Sequence, residues 1–384
     1  MRVLTVDAPM QAESEPLVKQ PYRLFFPLGV LLGWVGVGQW LLFSLGIAPA
    51  WRVVFHAMVQ VQGFIGCFVA GFLFTFIPRR TMGRTPAPWQ LWVCALCPLG
   101  LTVAAWFERW AIAQAFWLVE LFVLLQFVVS RARASKNSKP TPPTLTWIPI
   151  ALLMGVTGAL VSAFPTLHAI GKSLVLEGMV TALVMGIGSM LVPVITRAEP
   201  PPAQAGVAAP KWPQVVLAVA FVASFFLEGR LAYGLRLTVV GMVLVLEAQL
   251  WRPPSHPGVN RWLVWLSAWC LPWGYALLTV FPAHRTFGLH VIFLGAFGML
   301  AMSVAFHVTA AHANRADALK AWRSPMLVCG LLMALALGAR SAMALDAARY
   351  LPWMTTAVAC FIGAGVAWLV AALPMLRGAT PLRR

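Results

Sequence analysis

The residues best suited to hold a cofactor are histidines that lie within apolar segments. His56, Gln60 and Gly63 occupy one face of a helix, because their spacings of four and three residues bring them into line. A neutral imidazole nitrogen is a good axial ligand for haem iron, and a glycine leaves room for a flat macrocycle. The alternative is a histidine that is hydrogen-bonded within a helix interface beside Gln60. This segment alone favours neither interpretation.

Three further histidines bear on the same question. His290 lies at a similar depth below the outer membrane surface as His56, so the two imidazoles could face one iron from opposite sides. His168 follows Pro165 at the mouth of another apolar segment, where we expect an interfacial histidine, with a third ligand or a copper site as the alternative. His312 ends the segment that contains His290 and is expected to be a solvated helix terminus.

Charged residues inside apolar segments are costly and are therefore further candidates. Glu120 and Glu177 are expected to be protonated or paired, with Lys172 and Arg236 as candidate partners. Arg340, near the outer end of its segment, carries a guanidinium fork that suits a haem propionate. For outer arginines, snorkelling to the lipid headgroups is the alternative. Three other arginines lie in the outer loops: Arg52, Arg285 and Arg349.

The elements that carry these residues are long apolar segments. Of the 384 residues, 60% are hydrophobic and only 10% are charged, whereas a soluble domain has about 25% charged residues. A helix that crosses the bilayer needs about 20 apolar residues. The sequence therefore predicts an all-α polytopic membrane helix bundle of about twelve transmembrane helices. The predicted spans are 25–47, 52–77, 88–107, 110–130, 145–164, 167–195, 212–228, 231–250, 261–281, 286–312, 325–345 and 350–373.

Basic residues alternate between the connections and predict the orientation. Twenty of the 28 Lys and Arg residues fall on one side of the predicted spans, and such residues are retained in the cytoplasm. We therefore expect a cytoplasmic N-terminal tail at 1–24, a bundle at 25–376 and a cytoplasmic C-terminal tail at 377–384. Nucleic acid is not an expected partner despite the net charge of +17, because the basic residues lie between membrane spans that contact lipid.

The sequence contains a weak repeat with a period of four helices. The second, sixth and tenth predicted spans each carry a histidine near the outer end: His56, His168 and His290. Three pseudo-symmetric arcs of four helices are the hypothesis that follows.

Several of these segments resemble signatures of the NnrS family. The stretch from His56 to Phe64, continued by residues 70–78 (AGFLFTFIP), is similar to the second-helix signature of that family. The opening 22–27, the stretch from Leu289 to Gly298 and the closing 311–315 are similar to its other signatures. The resemblance implies a twelve-helix haem protein of the bacterial inner membrane, with haem b and copper as cofactors, linked to nitric oxide and nitrosative stress.

The resemblance also carries over individual positions. His56, His290 and His312 match family histidines, whereas Met58 and Val59 stand where the family has a histidine and a glutamate. This departure most directly affects the prediction of a copper site, which would depend on the missing histidine. A more distant similarity is to the catalytic subunit of haem-copper oxidases, whose low-spin haem ligands also lie on the second and tenth helices. Oxygen reduction is not expected, because the seventh span here has no histidine.

Three hypotheses about function remain open at this point. The first is a haem protein that binds nitric oxide or exchanges electrons with a partner, with His56 and His290 as axial ligands and Arg340 near the propionates. The second is a proton-coupled transporter that uses Glu120 and Glu177. The third is a membrane assembly protein whose histidines only pack.

Overall fold

The computed structural model describes residues 17–135, 142–199 and 210–377, and every regular element in these ranges is helical. The first helix begins at Tyr22 and the last ends at Leu376. Most of the expected tails, together with parts of the two longest linkers, therefore lie outside the described residues.

Twelve apolar helices follow one another along these ranges. Eleven are long and apolar enough to cross a membrane, which confirms a multi-pass helix bundle. The remaining helix, α7, spans Trp212–Phe226. It is roughly 22 Å long, which is less than the thickness of the hydrocarbon core, about 30 Å. The helices are α1 Tyr22–Ser44, α2 Val53–Thr81, α3 Pro88–Trp106, α4 Trp110–Arg133, α5 Pro143–Val161, α6 Pro165–Arg197, α7 Trp212–Phe226, α8 Gly229–Glu247, α9 Val259–Val280, α10 Pro282–His312, α11 Pro325–Leu345 and α12 Ala347–Leu376.

The helices form three groups of four around a centre. Consecutive helices pack in pairs, α4 packs on α5, α8 packs on α9, and α12 packs back on α1 to close the ring. The most buried apolar windows belong to α2, α6 and α10, at 89%, 83% and 67%, against 56% or less for the other spanning helices. The second, sixth and tenth helices therefore form the most buried part of the bundle.

Glycines on α1 allow α2 to approach closely. A Cβ atom added at Gly36 would lie 2.5 Å from the side-chain nitrogen of Gln60, and one added at Gly29 would lie 2.7 Å from the ring of Phe68. Small residues at a helix interface bring backbones together in this way. As a result, polar side chains of α2 can reach backbone carbonyls of α1.

The interior helices contain π-helical segments, in which each turn is wider than an α-helical turn. In α2 the segment Val59–Ile65 begins three residues after His56, and in α10 the segment Val291–Gly298 directly follows His290. Such segments are frequent at functional sites. Further π segments lie in α6 and α8: Leu174–Gly178, Val184–Gly188 and Gly241–Glu247.

Candidate functional site

A cavity of about 400 Å³ lies in the half of the bundle where α2 and α10 begin. Four of the residues singled out from the sequence line it together: His56, Gln60, His290 and Arg340. They come from α2, α10 and α11, which together with α12 also provide most of the remaining wall. The volume lies within the range of about 300–1,000 Å³ that is usual for small-molecule and cofactor sites. We call this space the histidine cavity.

His56 is held by α1. Its Nδ1 atom lies 3.1 Å from the carbonyl oxygen of Gly36, and the edge of its ring meets Trp40 at a centroid distance of 5.7 Å. Because a carbonyl can only accept a hydrogen bond, Nδ1 carries the hydrogen. The Nε2 atom then has a free lone pair, which is the arrangement that a metal-ligating histidine usually has. Gln60 supports the same contact by donating to the carbonyl of Gly33 at 2.7 Å.

His290 has the same tautomer as His56, but its hydrogen-bond acceptor lies on its own helix. Its Nδ1 atom donates to the carbonyl oxygen of Thr286, one turn earlier on α10, at 2.7 Å. The Nε2 atom of His290 therefore also has a free lone pair. Two imidazoles of one cavity are thus prepared to act as ligands, and each is oriented by a backbone carbonyl.

Arg340 brings a positive charge to the same cavity. Its Nη1 atom lies 3.7 Å from the sulfur of Met343, and none of the carboxylates in the described ranges forms an ion pair with it. The guanidinium is within electrostatic range of both His56 and His290. A guanidinium in a largely apolar cavity favours an anionic group that can accept two parallel hydrogen bonds.

The remaining wall of the histidine cavity is mostly aromatic and aliphatic. Trp40 comes from α1, Trp51 from the loop before α2, and Tyr350 from α12. These three residues were not predicted from the sequence. They lie near the ends of predicted spans, where aromatic residues are common because they contact lipid at the membrane surface. That position did not distinguish them as residues of a cavity. The aromatic side chains of the inner wall are Phe64, Phe293, Phe297 and Phe361.

Gly63 does not line the cavity. A Cβ atom added there would meet Leu32 of α1 at 3.5 Å, so this glycine serves the contact between α1 and α2. The prediction placed it on the face of His56 by assuming 3.6 residues per turn. The π segment Val59–Ile65 changes that periodicity, so a spacing of seven residues no longer returns to the same face.

His168 and His312 lie away from the histidine cavity. His168 is exposed at the start of α6, with Nδ1 2.8 Å from the carbonyl oxygen of Ser162. His312 is at the opposite end of α10 from His290, and its ring centroid lies 4.8 Å from that of Tyr22. Within residues 17–135, 142–199 and 210–377, no group of three or more His, Cys, Asp or Glu side chains is arranged to hold a metal ion. The alternative of a third ligand or a copper site at His168 therefore finds no group of candidate ligands among these residues.

The two intramembrane carboxylates also lie outside the histidine cavity. Glu177 pairs with Arg236, one of its two candidate partners, through an Nη1 to Oε1 distance of 2.6 Å, and both side chains are buried. Glu120 is fully buried beside α2, where a Cβ atom added at Gly66 would lie 3.8 Å from its Oε1 atom. Because neither carboxylate lines the histidine cavity, that cavity offers no observation in favour of the transporter hypothesis.

The other outer arginines are engaged elsewhere. Arg285 donates to the hydroxyl of Tyr233 at 2.7 Å. Arg52 lies 3.5 Å from the carboxylate of Glu108. Arg349 lies 3.9 Å from the carboxylate of Asp346. Of the four arginines considered from the sequence, Arg340 is the one that lines the histidine cavity.

Comparison with known proteins adds one finding at the level of the family. The model of a protein family described as NnrS protein matches residues 16–379, which is nearly the whole chain. No curated protein matches the sequence.

Proposed function

Because this chain belongs to the NnrS family, we propose that it is a haem-binding protein of the bacterial inner membrane that acts in the response to nitric oxide. Membership supports the link to nitric oxide stress at the level of the family. The observation that carries the haem proposal is the meeting of His56, His290 and Arg340 in one cavity.

The residues of the histidine cavity fit a b-type haem in three respects. The two imidazoles each have Nδ1 bonded to a carbonyl and Nε2 available to an iron. The guanidinium of Arg340 has no carboxylate partner among the described residues and suits a propionate. Aromatic and aliphatic walls suit the apolar macrocycle and keep water away. When bound, a haem would supply one-electron redox chemistry and an iron that responds to diatomic gases.

A haem held by both His56 and His290 would supply electron transfer in preference to permanent gas binding. The protein would hold the two imidazoles in fixed orientations, which keeps structural change during electron transfer small. Of the two histidines, His290 would be held less firmly, because its anchoring carbonyl belongs to its own helix, whereas His56 is fixed between two helices. Copper is not part of the proposal, since Met58 and Val59 occupy the positions of two family residues.

The test is the absorption spectrum and haem content of purified protein from cells supplied with haem precursor. We expect a Soret band in the wild-type protein and a shifted or lost band in His56→Ala and His290→Ala. His168→Ala and His312→Ala are the matched controls and should keep the wild-type band, because both residues lie away from the cavity. A colourless wild-type protein would refute haem binding. Unchanged spectra in both cavity variants would refute the ligand assignment.

Orientation is the second part of the proposal. With both termini in the cytoplasm, the loop before α2 faces outward and the histidine cavity lies in the outer half of the membrane. The exposed residues Ile47 and Met82 lie in the first two connections. In intact spheroplasts, a membrane-impermeant maleimide should label Ile47→Cys and leave Met82→Cys unlabelled until the membrane is opened. The reverse pattern would place the N-terminus outside.

A further inference from the structure

A second cavity lies at the centre of the bundle, where α2, α6 and α10 face one another. Its volume is about 100 Å³, and every residue that lines it is apolar. We call it the central chamber. Its walls include Val69 of α2, Ile187 and Gly188 of α6, and Ala301 and Val304 of α10.

The central chamber adjoins the histidine cavity. Ile65 and Phe297 line both spaces, and both side chains are buried. Each residue lies at or next to the end of a π segment, Val59–Ile65 in α2 and Val291–Gly298 in α10. Ile65 and Phe297 are therefore wall residues common to the apolar chamber and the cavity that contains two imidazoles.

The size and lining of the chamber define the ligand it could take. Water needs two to four polar partners to occupy a cavity, and this lining offers none. A quinone or a second haem would need a pocket of about 300 Å³ or more. Apolar cavities on the order of 150 Å³ stay dry and bind benzene or xenon. The chamber therefore matches one class of ligand, which is the small apolar gas.

The chamber is formed by the packing of three helices and not by a single missing side chain. Val184, Ile187, Ala301 and Val304 lie on the most buried helices of the bundle, yet each keeps accessible surface. A Cβ atom added at Gly188 would meet one neighbouring atom, on Val184 at 3.3 Å. Unfilled volume of this kind lowers stability, since its lining loses packing contacts.

We propose that the central chamber binds small apolar gas molecules and delivers them past Ile65 and Phe297 to the histidine cavity. Such gases dissolve better in apolar surroundings than in water, so a chamber within the membrane can draw them from the bilayer. That nitric oxide is the gas concerned rests on the proposed function. Binding of an apolar gas to the chamber does not depend on haem.

The test uses xenon as the probe and ¹²⁹Xe NMR of the full-length protein in lipid nanodiscs. Three alanine-to-phenylalanine variants distinguish the locations. Ala301→Phe fills the chamber, Ala357→Phe intrudes on the histidine cavity, and Ala334→Phe adds the same side chain on the exposed face of α11. Gly188→Val is a smaller filling variant in case Ala301→Phe does not fold.

We expect a saturable xenon signal beyond that of empty nanodiscs in the wild-type protein. Ala301→Phe or Gly188→Val should reduce this signal at least several-fold, and Ala334→Phe should leave it unchanged. The proposal is wrong if the wild-type protein gives no such signal. It is also wrong if Ala357→Phe alone removes the signal, since the gas then occupies the histidine cavity. Because xenon binding needs no haem, these outcomes are independent of whether a Soret band is present.

Discussion

Removing one partner of the buried ion pair between Glu177 and Arg236 should destabilise the bundle strongly. Arg236 holds Glu177 at 2.6 Å, donates through Nε and Nη2 to Ser224 at 3.0 and 3.2 Å, and lies over the ring of Phe225 at 3.8 Å. In Glu177→Gln these Ser224 contacts remain, but the guanidinium cannot lose its charge. Leaving one buried charge without its partner costs about 3–5 kcal/mol.

Removing the other partner, in Arg236→Met, should lower the free energy of unfolding by less than Glu177→Gln does. A carboxylate without its partner can be neutralised by a proton, whereas a guanidinium cannot. Replacing both residues by Leu and Met should recover most of the loss, because well-packed apolar pairs are often as stable as the buried ion pair they replace.

The assay is unfolding of the purified protein by SDS in mixed micelles, followed by tryptophan fluorescence. The control is Arg285→Met, which removes a single bond to Tyr233 at 2.7 Å from a part-buried site and should cost about 1.5–3 kcal/mol at most. A loss below about 1 kcal/mol in Glu177→Gln would refute the reasoning. So would a Glu177→Gln/Arg236→Met double variant whose loss equals the sum of the two single losses, since residues in contact should show coupling.

Three further outcomes are expected. Gly36→Ala, which places a methyl group 2.5 Å from the part-buried amide of Gln60 on α2, should lower thermal stability by about 1–3 kcal/mol. Gly38→Ala, with open space around it, should change it little, and equal effects would contradict the packing. Gln214→Leu removes the acceptor of a buried tryptophan N–H on α5 and should cost about 1–3 kcal/mol in the same assay, so an unchanged midpoint would count against that bond. Arg315 holds the pKa of Asp317 below its usual range by a hydrogen bond. The ion pair is therefore present at neutral pH and lost on acidification, and carboxyl NMR should show the pKa of Asp317 rising in Arg315→Gln. A pKa that stays depressed would contradict the pairing.

Hydrophobic length was sufficient to predict the helices. The predicted span 325–345 coincides with α11, and the short predicted span 212–228 became the short helix α7. The bilayer imposes a one-dimensional requirement on each segment, which a single sequence can report. The ends differ where helices continue beyond the apolar run, as in α12, which extends from Ala347 to Leu376 around the predicted 350–373.

The sequence predicted the depth of the site better than its orientation. His56 and His290 were placed at similar depth by counting crossings, and the structure brings them to one cavity. Rotation about a helix axis depends on local periodicity, however, and the π segment of α2 turns Gly63 toward α1. A π segment leaves no signal in an apolar pattern, so this change could not be predicted.

The weak repeat of four helices did not produce equivalent sites. His168 occupies the same place in its group as His56 and His290, yet it is exposed. Its helix α6 contributes Leu176 to the histidine cavity. The central chamber also could not be predicted from the sequence, because it depends on how three separate helices pack together.

The most direct test of a shared haem is the electron paramagnetic resonance spectrum of the oxidised protein. The proposal predicts the low-spin signal of an iron with two axial imidazoles in the wild-type protein. His56→Ala and His290→Ala should each convert that signal to high spin or lose the haem, while His168→Ala keeps it low-spin. A low-spin signal that persists in both cavity variants, or a wild-type protein without haem, would contradict the assignment of His56 and His290 to one iron.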